Sequence, residues 1–324
     1  MPISETHRPI TTLLADIGGT NTRVALAEDG IVVHKTIRRF ANAGRAGLDG
    51  ILSAYLDEFG KPDCAGACVA AAGLVQDGVA EMTNLDWVIT PDALRAVTGA
   101  QHVAILNDLQ AQGHALEGLR AKSLRMVLPG AASARSGPKL VIGVGTGFNA
   151  AVVHRHAGGV LVVASECGHT SLPLRNEPDL QLARHIEAVH GFAGVEDVLS
   201  GRGLERLYGW HAKAPNPQSA SAIMALIAAR EDPHATATAQ DFVTFLGRVA
   251  GDLALHHLAY GGIYLMGGVA RAFAPHLIPF GFDQSFRDKG RFSAFLDDFS
   301  VQIIEDDYAA LEGCARHLAR ILAG

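Results

Sequence analysis

The residues best suited to phosphate chemistry lie near the start of the chain, where an apolar run meets an aspartate and a pair of glycines. They are Asp16, Gly18, Gly19, Thr20 and Asn21. Adjacent glycines let the backbone approach a bulky anion, and inward-pointing amides form a nest for phosphate oxygens. The Asp16 carboxylate could hold Mg²⁺ directly or through water. The segment predicts a phosphate-binding hairpin, and by itself it leaves open an ordinary hairpin with glycines in its turn.

A second segment repeats this pattern in the middle of the chain. Gly145-Thr146-Gly147 lies between two apolar runs, as Gly19-Thr20 does near the start. The correspondence indicates a duplicated unit with two phosphate hairpins that face each other. A further glycine pair, Gly267 and Gly268, follows a short apolar strand. Such a pair lets a nucleotide base or ribose lie flat on the backbone.

Asp108 is the candidate general base of a phosphoryl transfer. Transfer from ATP to an alcohol needs a carboxylate that takes the hydroxyl proton. Asp108 stands at the end of a predicted strand beside an amide, Asn107, that can orient a sugar. Asparagine and aspartate also cap helices. The two residues by themselves therefore fit a catalytic pair and an N-cap pair equally well.

Two further polar residues, Glu166 and His169, stand close together in a glycine-containing loop. Metal sites of helical bundles need the Glu-x-x-His motif twice and on helices, whereas this chain has one copy in a loop. A carboxylate and an imidazole also suit the donors and acceptors of sugar hydroxyls, so the pair is chemically compatible with a sugar site. Glu196, beside Asp197, has by itself the character of a solvated acid at a helix start.

The elements that must position these residues follow from the apolar pattern. Three strands, a helix, a strand, a helix and a strand are predicted before residue 110, which makes an α/β unit. The last of these strands, Val103–Leu106, delivers Asn107 and Asp108 at its end. Thr90-Pro91-Asp92 predicts the start of the preceding helix, and Gly99 predicts its end.

Later elements are predicted in the same way. Apolar periodicity indicates helices over Ile223–Arg230 and Phe242–Tyr260 and a strand over Ile263–Met266. The last helix carries apolar residues along one side, from Tyr308 to Leu322. We expect this helix to pack back on the first unit.

The composition is that of a compact soluble protein. A length of 324 residues suggests roughly two domains. Of all residues, 48% are hydrophobic and 19% are charged, as in compact globular proteins. A net charge of −6 without basic clusters argues against a nucleic-acid partner. The first twelve residues have no apolar targeting region, and no run reaches the ~20 apolar residues of a membrane span. We therefore expect no membrane partner and a cytoplasmic location.

Eight segments, taken in order, connect the chain to a known family. They are Asp16–Asn21, Met82–Trp87, Leu106–Asp108, Gly143–Gly147, Glu166–His169, Glu196–Gly201, Gly267-Gly268 and Asp288–Phe292. In these segments the chain resembles the bacterial glucokinases, which form part of the hexokinase branch of the actin-like ATPase superfamily. The resemblance implies an α/β fold of two duplicated, ribonuclease H-like domains with a cleft between them. We expect a small α/β domain of residues 1–110 with 308–324, and a larger α+β domain of residues 111–307.

The resemblance also implies an activity. It predicts ATP-dependent phosphorylation of D-glucose at the 6-hydroxyl, giving glucose 6-phosphate and ADP, with Asp108 as the base. The implied sugar partners are Asn84, Asn107, Asp108, Glu166, His169 and Glu196. The implied nucleotide contacts are Gly18, Gly19, Thr20, Asn21, Thr146, Gly147, Gly267 and Gly268, with Asp16 as the candidate ligand of Mg²⁺.

Two positions depart from the usual pattern of that family. Asn149 stands where a further glycine is usual, and Leu74 stands where proline is usual. Asparagine adopts positive φ more readily than most residues, so we expect the second phosphate turn to form. The resemblance places Leu74 in a loop near the sugar, and we expect leucine to make that loop less rigid than proline would.

Two alternatives to a glucose kinase stay open at this stage. One is a kinase for another hexose, because specificity depends on sub-ångström placement of hydroxyl partners. The other is a catalytically silent sugar sensor on the same scaffold, against which Asp108 and the two phosphate turns argue. The oligomeric state is equally open, with a homodimer as one option.

Overall fold

The computed structural model describes residues 9–131, 136–214 and 218–324. The chain forms two compact units, one of Met1–Leu119 with Asp307–Gly324 and one of Arg120–Asp306. The first unit continues past residue 110, where the sequence placed its boundary, because the helix that begins at Asp108 packs against the last helix of the chain. Residues 1–8 belong to the segment in which no targeting region was predicted, and they lie outside the described residues.

The elements are numbered in chain order. The strands are β1 (Thr11–Ile17), β2 (Asn21–Glu28), β3 (Ile31–Val32), β4 (Arg38–Ala41), β5 (Gly66–Ala71), β6 (Gly73–Gln76), β7 (Val79–Met82), β8 (Val88–Ile89), β9 (His102–Asn107), β10 (Leu124–Leu128), β11 (Lys139–Val144), β12 (Phe148–His156), β13 (Gly159–Ala164), β14 (Ile263–Met266) and β15 (Val301–Ile304). The helices are α1 (Leu48–Glu58), α2 (Pro91–Thr98), α3 (Asp108–Ala115), α4 (Glu177–His190), α5 (Gly201–Ala212), α6 (Ala220–Ala229), α7 (Pro233–His257), α8 (Gly268–Phe273), α9 (Phe282–Arg287) and α10 (Ala309–Ala323).

The main sheet of the first unit has the strand order β3-β2-β1-β5-β9, and β4 also pairs with β2. β1 and β2 form the predicted antiparallel hairpin, whereas β1, β5 and β9 run parallel. Helices cover both faces, as parallel strands require. Ile51 of α1 and Leu94 of α2 belong to the core on one face, and Leu311 and Leu318 of α10 belong to the core on the other. The expected packing of the last helix on the first unit is therefore confirmed.

Helix α2 begins and ends where its sequence signals predicted. The Thr90 hydroxyl accepts a hydrogen bond from the Ala93 N–H at 3.2 Å, and Pro91 is the first helical residue. Gly99 ends the helix in the left-handed conformation, with φ of 71°. These local bonds satisfy backbone groups that the helix itself leaves unpaired, so the signals hold without help from tertiary packing.

Helix α7 begins earlier than its apolar pattern predicted. The pattern starts at Phe242, but the helix starts at Pro233, because the Asp232 carboxylate caps it by accepting from the N–H groups of His234 and Ala235. The first two turns consist mostly of small and polar residues, which carry no apolar periodicity.

The main sheet of the second unit has the strand order β10-β15-β14-β11-β12-β13. β11 and β12 form the second predicted hairpin, and β11, β14 and β15 run parallel. The core of this unit holds fully buried phenylalanines on three helices, Phe242 on α7, Phe273 on α8 and Phe282 on α9.

The two main sheets share one arrangement. The order β3-β2-β1-β5-β9 in the first unit corresponds to β13-β12-β11-β14-β15 in the second, with the same parallel and antiparallel pairs. A glycine turn joins β1 to β2 in the first unit and β11 to β12 in the second.

Across the described ranges, the helices are too short or too polar to span a bilayer.

Candidate functional site

The predicted residues of the first unit gather at one edge of its sheet. Ile17, Ala71 and Asn107 are paired in register at the carboxyl ends of the parallel strands β1, β5 and β9. The glycine hairpin, β6 and the start of α3 follow these ends directly. Ligands of open α/β sheets bind outside the carboxyl ends of the parallel strands, so this edge is the expected place for a site.

The first glycine turn is held by a residue that the sequence analysis missed. Asn42 donates from Nδ2 to the Gly18 carbonyl at 2.8 Å, and its N–H donates to the Thr20 carbonyl at 2.9 Å. Its Oδ1 accepts from the Thr22 hydroxyl at 2.8 Å. Asn42 is 3% exposed and follows β4, which pairing with β2 brings beside the turn. No spacing in the sequence distinguishes this asparagine.

Asp16 forms an ion pair across the first hairpin. Its Oδ2 lies 3.0 Å from Nη1 of Arg23, the residue opposite it in the β1–β2 ladder. Burial raises the pKa of the Asp16 carboxyl, and the charge and hydrogen bond of Arg23 oppose that rise. The described residues contain no group of three or more acidic, histidine or cysteine side chains arranged to hold a metal ion. Asp16 therefore belongs to no such group among the described residues.

Asn107 is the N-cap of α3, which was one of the two roles open to the Asn107-Asp108 pair. Its Oδ1 accepts from the Leu109 N–H at 2.9 Å, and its own N–H donates to Oε1 of Gln110 at 3.0 Å. Its Nδ2 also donates to the Gly73 carbonyl at 3.0 Å, which ties the start of β6 to this helix.

Asp108 is the first residue of α3 and is partly exposed. Its Oδ1 accepts from the Leu109 N–H at 2.9 Å, so the carboxylate is oriented by the helix start. Asn84 lies exposed after β7, and its Cβ would lie 3.6 Å from a Cβ placed on Gly19. The first group thus consists of the glycine turn, Asp16, Asn84, Asn107 and Asp108.

The second glycine turn contacts a predicted sugar ligand. The Gly145 N–H donates to the Gly147 carbonyl at 2.9 Å, which closes the turn. Next to it, the Phe148 N–H donates to Oε2 of Glu196 at 2.9 Å. A Cβ on Gly147 would lie 2.5 Å from that same oxygen, so a side chain here would displace the Glu196 carboxylate. Glu196 is also paired with Arg202, at 3.3 Å.

Glu166, His169 and Glu196 come together in the second unit. Cys167–His169 forms a single 3₁₀ turn, with the His169 N–H donating to the Glu166 carbonyl at 3.1 Å. The Glu196 N–H donates to the Gly168 carbonyl at 2.8 Å, which places its backbone against the middle of that turn. The side chains of Glu166 and His169 are exposed, and Glu196 is half-buried.

Gly267 and Gly268 lie beside the second turn. Gly143 and Met266 are paired in register, so the glycine pair follows β14 next to the end of β11. Gly267 has φ of 103°, and a Cβ on it would lie 2.3 Å from the Val144 carbonyl oxygen. Gly268 opens α8, and the space around its Cβ position is empty within 4 Å. The second group therefore contains two of the three predicted nucleotide-binding glycine segments and three predicted sugar ligands.

The second glycine turn forms, but the reason expected for it, a positive φ at Asn149, was wrong. Asn149 is a residue of β12, opposite Gly143, and it does not have positive φ. The turn forms without any left-handed residue at that position. Leu74, the other departure, lies in strand β6, paired with Glu81, rather than in the expected loop, and it is 52% exposed.

Comparison with known proteins decides the family, since the glucokinase family model matches residues 13–321. The chain belongs to the glucokinase family. The resemblance seen in the sequence is thereby confirmed, and so is the enzyme class: the protein is a kinase that phosphorylates glucose with ATP.

Individual relatives agree over nearly the whole length. A glucokinase of Chromobacterium violaceum is 35% identical over 315 residues, which are 96% of this chain and 90% of that protein. The crystal structure of a glucokinase from an Antarctic psychrotroph has a TM-score of 0.83 at 29% identity and covers 95% of this chain and 98% of its own. A glucokinase of Balamuthia mandrillaris, solved in complex with glucose, shares the fold with a TM-score of 0.81 at 21% identity, over 98% of this chain and 95% of its own.

Proposed function

We propose that the protein transfers the γ-phosphoryl group of ATP to the 6-hydroxyl of glucose with Asp108 as the general base. One observation carries this assignment: the first glycine turn and Asp108 follow the ends of strands that are in register at one sheet edge. Phosphoryl transfer needs a base near the transferred group. The N-cap bonds of Asn107 fix the start of α3 and hence the position of Asp108. Capping and catalysis are therefore compatible roles for neighbouring residues.

Glu166, His169 and Glu196 are proposed to bind the sugar hydroxyls, together with Asn84 and Asn107. A carboxylate accepts and an imidazole both donates and accepts, so the three together match the hydroxyl pattern of a hexose. This proposal is supported by the hydrogen bond from the Glu196 N–H to the Gly168 carbonyl, which holds the backbone of Glu196 beside the loop that carries Glu166 and His169.

The glycine segments are proposed to bind the nucleotide. Gly18, Gly19, Thr20 and Asn21, with Thr146 and Gly147, would contact phosphate oxygens through backbone N–H groups. Gly267 and Gly268 would contact the adenosine, because the open space at Gly268 leaves its backbone accessible. The shared strand order of the two units supports a duplicated, ribonuclease H-like architecture of the actin-like ATPase type.

The first hairpin fits Mg²⁺ with a single carboxylate, Asp16, as its protein ligand. Arg23 engages Oδ2 of Asp16, and we assign the other oxygen to the ion, directly or through water. Mg²⁺ keeps several waters and is usually bound by one or two carboxylates with the phosphates of the substrate, so no larger protein cluster is needed. The bound ion would neutralise phosphate charge, while Asp108 takes the hydroxyl proton.

Glucose is proposed to draw on both groups of residues, one from each unit. A substrate that contacts both units would bind a closed arrangement more tightly and would shift the population towards it. Closure would expel water, which otherwise competes as a phosphoryl acceptor. Small-angle scattering with and without saturating glucose tests this model. An unchanged radius of gyration, with ATP hydrolysis as fast without glucose as with it, would exclude closure.

A coupled assay of ADP release tests the proposed function as a whole. We expect ADP release that depends on both glucose and Mg²⁺, and a product that is phosphorylated at the 6-hydroxyl. A panel of fructose, mannose and amino sugars ranks the other hexoses by kcat/KM. Glucose binding without ADP release would instead support a sugar sensor on the same scaffold. The cytoplasmic location and the homodimer stay predictions.

A further inference from the structure

The side chain of Asn149 connects two parts of the proposed sugar site. Its Nδ2 donates to Oε2 of Glu166 at 2.8 Å. Its Oδ1 accepts from the Cys167 N–H at 3.1 Å and lies 3.4 Å from the Ser165 hydroxyl. One amide therefore contacts the backbone of the Ser165–His169 loop and the carboxylate that this loop carries.

The two ends of this amide have separable effects. The oxygen end holds the backbone of the loop against β12, which any side-chain oxygen at this position could do. The nitrogen end fixes the carboxylate of Glu166, which is otherwise exposed on a long side chain. An exposed glutamate samples several rotamers, so a sugar hydroxyl would have to order it on binding.

We propose that Asn149 is a positioning residue that holds the Glu166 carboxylate ready for a sugar hydroxyl. The inference rests on the proposed sugar-binding role of Glu166. Because Nδ2 donates to one carboxylate oxygen, the orientation of the whole group is tied to β12, whose partner strand β11 leads into the second glycine turn. The sugar then meets an acceptor that is already in place.

The substitution Asn149→Asp separates the two ends. It keeps an oxygen that can accept from the Cys167 N–H, and it replaces the donor to Glu166 with a second acceptor. Two carboxylates that face each other repel, so the Glu166 side chain should leave its position. We expect the KM for glucose to rise about tenfold or more, since small displacements of positioning groups have effects of this size. The kcat and the KM for ATP should change much less.

Ser165→Ala is the matched control. It removes a hydroxyl that contacts Oδ1 of Asn149 and the Ala150 carbonyl, but it leaves the bond to Glu166 intact. If Asn149 acted merely by holding the loop, Ser165→Ala, which removes a hydroxyl contact to Asn149, would raise the KM for glucose, and Asn149→Asp, which keeps the accepting oxygen, would not. Under our proposal, Ser165→Ala leaves it near that of the parent protein.

A double-mutant cycle with Glu166→Ala completes the test. Asn149→Asp should have no further effect on the KM for glucose in that background, because its target is gone. Equal effects of Asn149→Asp with and without Glu166 would overturn the inference. So would an unchanged KM for glucose in Asn149→Asp alone.

The same cycle separates this inference from the proposed function. If Glu166→Ala leaves the KM for glucose unchanged, the sugar-binding role of Glu166 is wrong, and the inference fails with it. If Glu166→Ala raises that KM while Asn149→Asp does not, the sugar-binding role stands and the positioning role of Asn149 alone is wrong. Thermal unfolding of each variant checks that the fold is retained.

Discussion

The two glycine turns occupy the same place in their sheets, yet they are held in different ways. A neutral amide holds the first turn, since Asn42 contacts Gly18 and Thr20. A carboxylate holds the second, since Glu196 accepts from Phe148. Glu196 is also a proposed sugar ligand. The first turn is therefore tied to the fold alone, whereas the second shares a side chain with the sugar site.

The space around the glycines shows the same difference. A Cβ on Gly19 would meet Asn84 at an ordinary 3.6 Å, but a Cβ on Gly147 would lie 2.5 Å from a carboxylate oxygen of Glu196. A side chain added at Gly147 would therefore displace the Glu196 carboxylate. Displacement of that carboxylate would in turn remove its hydrogen bond from the Phe148 N–H beside the turn. Sugar and nucleotide binding are expected to be linked through the second unit more than through the first.

The largest effect is expected for Asp108→Asn, which tests whether the first group supplies the chemistry. Loss of a general base lowers turnover by about 10² or more. Glucose binding, measured by calorimetry, should stay near normal. Intact binding with a fall in turnover of less than about tenfold would contradict the role of Asp108.

Asn42→Ala tests whether the first turn is tied to the fold. The substitution leaves the buried Thr22 hydroxyl and the Gly18 carbonyl without their partner, which costs roughly 1–3 kcal/mol in the free energy of unfolding. Urea denaturation measures this loss. Glu196→Gln is the matched variant in the second unit, because it keeps an oxygen for the Phe148 N–H. It should affect the KM for glucose more than stability, and the reverse result would invalidate the comparison.

Gly147→Ala and Gly19→Ala compare the turns directly. The methyl group at position 147 must displace the Glu196 carboxylate, so the KM for glucose and the KM for ATP should rise together, each by about tenfold. The methyl group at position 19 meets no such contact, and any rise should be confined to the KM for ATP. Steady-state kinetics with each substrate varied in turn will show this. A linked rise in both variants would mean that the turns are equivalent.

Asp16→Ala has the smallest expected effect. It should raise the Mg²⁺ concentration needed for half-maximal activity and lower kcat severalfold, because Mg²⁺ also binds the substrate phosphates. Glucose affinity without nucleotide should not change. Activity of the parent protein that persists in excess chelator would count against a magnesium role for Asp16.

The sequence predicted the features that local chemistry determines. Both hairpins, the caps of α2 and the amphipathic last helix follow from turn residues, capping residues and apolar spacing, which act within a few residues of each other. The strand that ends at Asn107, directly before Asp108, was also predicted, since its apolar run and the polar pair after it lie within a few residues.

The missed residues act over longer distances. Asn42 reaches the first turn because β4 pairs with β2, and Asn149 reaches Glu166 because β12 pairs with β13 before the loop. The residues near Asn42 and Asn149 in the sequence do not indicate which strands pair. From the sequence we expected Asn149 to matter through its backbone φ, whereas in the structure its side chain contacts Glu166 and Cys167.

The order in which the chain is synthesised has a consequence for the first unit. Its sheet and α3 are made early, but α10, whose Leu311 and Leu318 complete one face of its core, is the last helix of the chain. The second unit, in contrast, is an uninterrupted segment from Arg120 to Asp306. Domains fold as units during synthesis, so the second should finish first, while the first waits with an uncovered apolar face. A chain that stops before α10 should therefore expose that face and require chaperones.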